Sequence, residues 1–401
     1  MRERLFLKRW CSKMQTYLDN SATTRICPEA LEAYTRVSLE CFGNPSSLHG
    51  IGHEAEKIID SARHEILSSV GTSGEVIFTA SGSEANNLAI IGRARSKDRY
   101  SRGAKIITTM GEHASVDEPL NMLESEGFKV ARIPTLGGEV DLDALREELT
   151  DNTVLVSVML VNNETGAVYD IPKISSLVKA RCRDALIHVD ATQGYMKIPF
   201  TLSGLGADMV TLSSHKIEGP KGVGALVMRD GVMKLRALSP VIFGGGQEKG
   251  LRSGTENVPG IAAFGEAVRV GREKMSDNIS RMSALRERLI ESIRTSPALS
   301  EVSPTLPKNH APHILNVTLP CIKSETMLHF LSSREIYVSS GSACSSNTGH
   351  TSSALTAYGR SEKEADSSIR ISLSGRTTEE EIDAFVSALE EGVARLARVR
   401  R

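Results

Sequence analysis

Between about Ile58 and about Val227, helical patterns alternate with short apolar, β-branched runs, and no other feature of the chain narrows its fold as much. Strands separated by helices pair in parallel, because a parallel pair needs a long crossover, and the helices then cover the sheet. The runs "EVIFTA" (75–80), "AKIITTM" (104–110), "TVLVSVMLV" (153–161), "ALIHVDAT" (185–192), "ADMVTLSS" (207–214) and "GVGALVM" (222–228) read as strands. They lack clean apolar and polar alternation, which fits a sheet buried on both faces. Ile58, Ile59, Ala62, Ile66, Leu67 and Val70 share one helical face, and Gly71 follows where a helix end favours positive φ.

A second unit follows. After the Gly-rich segment "FGGGQEKGLRSGTEN" (243–257), a charge-rich helical stretch runs to about Thr295 and bridges to strands near "HILNVTL" (313–319), "IYVSS" (336–340) and "SSIRISL" (367–373). Thr378 with Glu381 forms a capping-box pattern ahead of the apolar positions Ile382, Phe385 and Leu389, so the chain is expected to end in a helix. The 401 residues are too many for one core and ample for two. The expected division is an N-terminal segment over 1–27 packed with the small domain, a large domain over 28–268 and a smaller α+β domain over 269–401.

Charge excludes some functions. With 48 basic and 49 acidic residues the net charge is −1, so nothing attracts the chain as a whole to nucleic acid or an anionic membrane. No apolar run is long enough to span a bilayer. The six cysteines (Cys11, Cys27, Cys41, Cys182, Cys321, Cys344) show no C-x-x-C pair and no zinc-type spacing, so no metal site is expected and a reducing, cytoplasmic setting fits. The first 13 residues carry five basic residues against one acid; they read as a solvated extension rather than a transit segment.

Four features at predicted strand ends carry candidate chemistry. Lys216, in "SSHKIEGPKGVG" (213–224), stands where partial desolvation would lower an amine's pKa for Schiff-base chemistry, although a loop lysine is ordinarily just solvated. In "TASGSEANNLAII" (79–91), Ser81, Gly82 and Ser83 open a helix whose N–H groups suit a phosphate, against the plain alternative of an N-cap. Asp190, in "IHVDATQG" (187–194), ends an apolar strand and would point into the crevice where open α/β sheets bind ligands; the alternative is a surface turn. His113, in "GEHASV" (111–116), follows a strand and is placed to stack on a ring or simply to cap a helix. An aldehyde cofactor with a phosphate, a ring nitrogen and a ring face needs this combination of amine, N–H nest, acid and flat neighbour. A fifth feature is the thiol of Cys344, set in "SSGSACSS" (339–346), which offers none of the packing a structural cysteine has.

These blocks, together with "YLDNSATT" (17–24), "FGNPSSLHG" (42–50), "VNNETG" (161–166), "GGGQEKGLRSGTENV" (244–258) and "SSIRISLSG" (367–375), resemble the cysteine desulfurases of the nitrogen-fixation and iron–sulfur-assembly group. These are class V aminotransferase relatives with the pyridoxal-phosphate fold of type I. The resemblance covers nearly the whole chain from Tyr17. It implies a large domain with a mostly parallel seven-stranded sheet and a small α+β domain. It also implies that Lys216 bonds the cofactor aldehyde, Asp190 pairs with the ring nitrogen, Gln193 and Asn163 contact the ring oxygen, and His113 stacks on the ring and carries protons. Gly82, Ser83, Ser213 and His215 would hold the phosphate, and Thr255 would reach the phosphate of the partner subunit in an obligate homodimer. Arg370 is the expected clamp for the substrate carboxylate, a task that suits a planar guanidinium, and Asn163 lies on the substrate side.

The implied reaction takes sulfur from L-cysteine, leaves L-alanine, and holds the sulfur as a persulfide on Cys344 for an acceptor such as an iron–sulfur scaffold or a tRNA-thiolation relay. A thiol with an ordinary pKa is only about 3% thiolate at pH 7, so the site must activate it. The chain departs from the family pattern after the cysteine: it reads "SSNTGHTSSALTAYG" (345–359) where the family carries a proline and a larger apolar residue. Docking to a standard scaffold is therefore the open part of the resemblance, and His350 reads as a surface residue. Alternatives are a selenocysteine lyase, a class V aminotransferase in which Cys344 is incidental, and a non-catalytic binding subunit.

Overall fold

The strand-like runs do pair with one another. In a computed structural model that describes residues 15–96, 103–340 and 352–397, β2 (Glu75–Thr79), β3 (Lys105–Thr109), β4 (Lys129–Ile133), β5 (Thr153–Met159), β6 (Leu186–Asp190), β7 (Met209–Ser213) and β8 (Gly224–Met228) form one seven-stranded sheet. Its order is β2-β8-β7-β6-β5-β3-β4. The pairs from β7 through β4 are parallel, and β8 runs antiparallel to both neighbours. Every residue of β5, β6 and β7 is buried, which is why those runs show no alternation. The edge strand β4, "KVARI", went unread: only Ile133 is buried, and its charged residues suit an edge that must not pair further.

Helices cover both faces. Gly82–Ala94 and Ala114–Ser125 pack on one side through Leu88, Ile90, Val116 and Leu120. Gly50–Ser69 and Ile171–Arg181 pack on the other through Ile59, Ile66, Ile174 and Val178. The strands end at the loops that carry Asp190, Lys216 and His113, so the sheet determines where those side chains start.

A second core surrounds a four-stranded antiparallel sheet ordered β12-β13-β10-β9, with β9 (Ser303–Thr305), β10 (Ile314–Thr318), β12 (Ser339–Ser340) and β13 (Ser368–Ser372). The run "IYVSS" divides between sheets: β11 (Ile336–Tyr337) leaves to pair in parallel with β1 (Thr16–Tyr17). The 38-residue helix Val258–Thr295, roughly 57 Å long at the usual rise, serves both cores. Val258, Ile261, Phe264 and Val268 belong to the first, Met282, Leu285, Leu289 and Ile293 to the second. Leu18, from the N-terminal segment, also lies in the second core. The capping box of Thr378 and Glu381 opens the helix Glu379–Leu396. Among the described residues no helix is long and apolar enough to cross a membrane, and no group of three or more His, Cys, Asp or Glu side chains could hold a metal ion.

Candidate active site

Lys216 closes a short 3-10 turn, Ser214–Lys216, directly after β7. Its Nζ donates to the carbonyls of Ser21 and of Ala22, the latter at 2.9 Å. The same N-terminal segment holds the turn elsewhere: Thr24 Oγ1 donates to the His215 carbonyl at 2.9 Å and accepts from Glu218 N at 2.8 Å. His215 meets Thr23 Oγ1 at 3.2 Å, and burial, followed by the charges of Lys216, Lys221 and Lys197, pushes its pKa down to about 4. It is a neutral imidazole at physiological pH.

Asp190, at the end of β6, is 6% exposed. Its Oδ2 accepts from Asn86 Nδ2 at 2.8 Å and its Oδ1 from Thr192 N at 2.9 Å. It has no salt-bridge partner among the described residues, although a buried carboxylate is costly without one. That arrangement suits a cationic ligand group.

His113 caps the helix Ala114–Ser125: its Nδ1 accepts from Ser115 N at 3.1 Å and contacts Ser115 Oγ at 2.8 Å. The Nδ1 that accepts leaves the ring proton on Nε2. Burial holds its pKa below the ordinary value, with Lys216 and Arg370 acting in the same direction and Asp190 opposing them. Those influences put His113 in the electrostatic company of three other predicted site residues. Asn86 Nδ2 also donates to Ser115 Oγ at 2.9 Å, so one amide ties the His113 cap to the Asp190 carboxylate.

At the start of the helix Gly82–Ala94 the Ser81 hydroxyl accepts from Glu84 N at 3.1 Å, so Ser81 is an ordinary N-cap. Gly82 is different. A Cβ there would stand 3.2 Å from Ser213 Cβ and 3.2 Å from Thr192 Oγ1, so three loops close around this backbone. Gly224 permits that approach, since a Cβ on it would lie 2.4 Å from the Ser81 carbonyl carbon. Ser83 is exposed at the rim, and Ser213 is buried. The result is a helix N-terminus closely approached by the hydroxyl-bearing side chains of Ser213 and Thr192.

Arg370 arrives from the other core. It sits mid-strand in β13, 6% exposed; its Nη1 donates to the Asn163 carbonyl at 2.8 Å and its Nη2 to Asp19 Oδ1 at 3.0 Å, while its buried Nε has no protein partner. Burial raises the Asp19 pKa even though Arg370, and more weakly Lys216, pull it down. Asn163 is presented by a turn that Asn162 builds, its Oδ1 accepting from Glu164 N and Thr165 N at 3.0 and 2.9 Å. Gln193 donates from Nε2 to the Ser21 carbonyl at 2.9 Å, and its Oε1 is buried without a partner.

Two predicted residues remain. Thr255 is exposed in the loop before the long helix. Cys344 lies outside the described residues. The chain enters that segment from β12, where Ser339 is in register with Arg370, and leaves it at Ser352, whose hydroxyl bonds Glu164 Oε2 at 2.5 Å. Asp19, Asn86, Ser115 and Thr192 were missed in the sequence. None of these carried a local signal that set it apart from its neighbours.

Residues 16–385 match the family described as Aminotransferase class-V. This chain belongs to that family, in its cysteine desulfurase group. It is 38% identical over 382 residues to a protein named cysteine desulfurase IscS 1 from Archaeoglobus fulgidus, covering 95% of this chain and 97% of the relative. It is 41% identical over 391 residues to cysteine desulfurase IscS from Salmonella typhi, covering 96% and 94%. A solved NifS-like protein superposes with a TM-score of 0.87 at 36% identity, over 95% of this chain and all (100%) of the other. Class V aminotransferases and cysteine desulfurases depend on pyridoxal phosphate, and this site fits that group: a buried carboxylate without a salt-bridge partner among the described residues, a glycine at a helix N-terminus closely approached by Ser213 and Thr192, and a lysine amine at the end of the neighbouring strand.

Proposed function

We propose that this chain takes sulfur from L-cysteine, releases L-alanine, and carries the sulfur as a persulfide on Cys344 to an acceptor protein. The observation that supports it most directly is the reach of Arg370 from the small sheet to the loop after β5, with a buried Nε left for a carboxylate. Lys216 is assigned to the cofactor aldehyde, Asp190 to the pyridine nitrogen, and His113 to the ring face. Gln193 and Asn163 are assigned to the ring oxygen, and Gly82, Ser83, Ser213 and His215 to the phosphate. When bound, pyridoxal phosphate supplies an electron sink for the pair left at the substrate α-carbon.

The residues then divide the work. Arg370 orients the α-carboxylate, and the Lys216 amine takes the α-proton. His113, whose Nδ1 accepts from Ser115 N and which therefore carries its ring proton on Nε2, would hold or return a proton near neutral pH. The Cys344 thiolate attacks the substrate sulfur: the S–S bond forms as the substrate C–S bond breaks, and its electron pair leaves with the alanine fragment, which is reprotonated. No external oxidant is needed, because the sulfur leaves already as sulfane sulfur.

We also infer a homodimer in a cytoplasmic, reducing setting. Leu39, Phe42, Leu48 and Phe243 are large apolar residues each at least 71% exposed, and Thr255 lies in the same Gly-rich loop as Phe243. A second copy that covers them would bring Thr255 to its partner's phosphate. The acceptor is an iron–sulfur scaffold or a thiolation relay.

The test is product analysis of the purified holoenzyme with L-cysteine and a reductant. Equal amounts of alanine and sulfide are expected, with Cys344→Ser losing both and the wild type showing a thiol-labile label on Cys344. A keto acid product, or undiminished sulfide release by Cys344→Ser, would overturn the proposal.

A further inference from the structure

Lys197 is a buried cation that none of this chemistry uses. It is 7% exposed, has no salt bridge among the described residues, and donates from Nζ to the main-chain carbonyl of Lys216 at 2.8 Å. Because the acceptor is backbone, the contact persists whatever the Lys216 side chain does. The two lysines also line one cavity of about 280 Å³, bounded by Ala267 and Lys274 of the long helix and by Arg376. None of Asp190, His113, Ser213 or Arg370 borders that cavity, so it reaches Lys216 from a side the substrate site does not occupy.

The cavities that Lys197 borders carry several cations. Lys216, Lys274 and Arg376 share the cavity with it; Arg286, Lys308 and His310 line a second cavity that it also borders. His313, buried between the two cores, is held neutral by its burial, then by Lys197, Arg370 and Lys216. The nearby carboxylates pair with those cations rather than with Lys197: Glu218 with Arg376 at 2.8 Å, Glu287 with Arg286 at 3.0 Å, Glu29 with Lys274 at 3.6 Å and Glu139 with Lys308 at 3.4 Å, and of the cations it is Lys216 that acts on Lys197. Burial, then the Lys216 charge, pushes the Lys197 pKa down to about 7, with Glu218 opposing. Coupling between two charges is reciprocal, so Lys197 acts on Lys216 as Lys216 acts on it.

We propose that Lys197 is a positioning residue for Lys216, holding its main chain and, while protonated, lowering the proton affinity of the Lys216 nitrogen. This rests on the assignment of Lys216 as the cofactor lysine. Its physical basis is that a second buried cation disfavours the charged form of its neighbour, which leaves more of the Lys216 nitrogen unprotonated, and so free to take a proton, near neutral pH.

The experiment is a pH titration of the visible absorbance of the purified holoenzyme, with cofactor release followed separately. Lys197→Gln keeps a donor to the Lys216 carbonyl but no charge, Lys197→Arg keeps both, and Lys197→Met keeps neither. The midpoint of the chromophore should rise by about 0.5–1 pH unit in Lys197→Gln and stay near wild type in Lys197→Arg. Cofactor release should quicken several-fold in Lys197→Met but not in Lys197→Gln. A wild-type midpoint in Lys197→Gln overturns the charge role, and equal release rates in Lys197→Met and Lys197→Gln overturn the positioning role. If Lys197→Met does not fold, the Gln and Arg pair still decides the charge role. A Lys216→Ala protein that keeps the chromophore would instead refute the underlying assignment, which the Lys197 variants do not touch.

Discussion

Arg370→Lys separates a carboxylate clamp from a structural tie. In the wild type the guanidinium spends Nη1 on the Asn163 carbonyl and Nη2 on Asp19, and still has a buried Nε–H without a partner. A lysine keeps the charge, but its donors radiate from one atom, so it cannot satisfy Asn163 and Asp19 and also present a planar fork. One charge-assisted hydrogen bond to substrate is then lost, worth about 1.5–3 kcal/mol. At about 1.4 kcal/mol per decade that is a rise of roughly 10- to 100-fold in KM for cysteine. The carboxylate lies away from the bonds that change, so its binding is uniform through the reaction and kcat should move much less than KM. Steady-state alanine formation measures both constants, and weakened binding of L-alanine checks the ground state directly. A KM within about threefold of wild type would refute the clamp and leave Arg370 as a tie between Asp19 and the Asn163 turn.

Two further outcomes follow from the same site. Gly82→Ala should weaken cofactor binding by roughly 10-fold or more while leaving the melting temperature of the cofactor-stripped protein nearly unchanged, since its Cβ meets Ser213 and Thr192 at 3.2 Å and crowds that helix N-terminus rather than breaking the fold. Spectrophotometric titration with pyridoxal phosphate measures the first and a thermal melt the second; an unchanged cofactor affinity would count against this helix N-terminus as the phosphate site. Burial raises the Glu164 pKa from 4.5 to about 7, against the pull of Ser352 and Arg370, so the folded state binds that proton more tightly than the unfolded chain does. Its stabilisation is therefore complete below about pH 4.5 and is lost as the pH rises to about 7. Urea unfolding at pH 5 and pH 8 should show Glu164→Gln gaining roughly 1–2 kcal/mol on wild type at the higher pH, and an equal gap at both would show that Glu164 does not titrate in that window.

The large sheet was legible because buried parallel strands are continuous apolar runs and their crossovers have helical period. β4 escaped because an edge strand needs little burial, and β1 and β9 because strands of two or three residues carry no period at all. The candidate residues at strand ends could be picked out by type and position, and the fold does place Asp190, Lys216 and His113 at or just after strand ends. Their supports could not. Asn86 is one asparagine of a pair, and nothing local tells which of Asn86 and Asn87 turns inward; the fold decides, burying Asn86 at 1% exposure between Ser115 and Asp190. Asp19 could not be paired with Arg370 from the sequence, because 351 positions separate them and only the assembled small sheet joins them.

That separation explains what the N-terminal segment does. Arg370 lies in the small sheet and Lys216 follows a strand of the large one, and under the proposed assignment one substrate would touch both. The residues from Leu18 to Thr24 bond each side. On the small-domain side Ser372 N donates to the Leu18 carbonyl at 2.7 Å, and Ser21 N donates to Ser372 Oγ at 2.8 Å. On the sheet side the Ser21 carbonyl accepts from Lys216 Nζ and from Gln193 Nε2, and Thr24 holds the turn through His215 and Glu218. The long helix can fix the two cores only coarsely, since a lever of that length turns a small bend into a shift of ångströms at its ends. A short strap bonded within two residues of Arg370 at one end and to Lys216 itself at the other sets the distance between clamp and amine locally. Under the proposed assignment "YLDNSATT" therefore helps to set the catalytic geometry, with Asp19 bonding Arg370 directly.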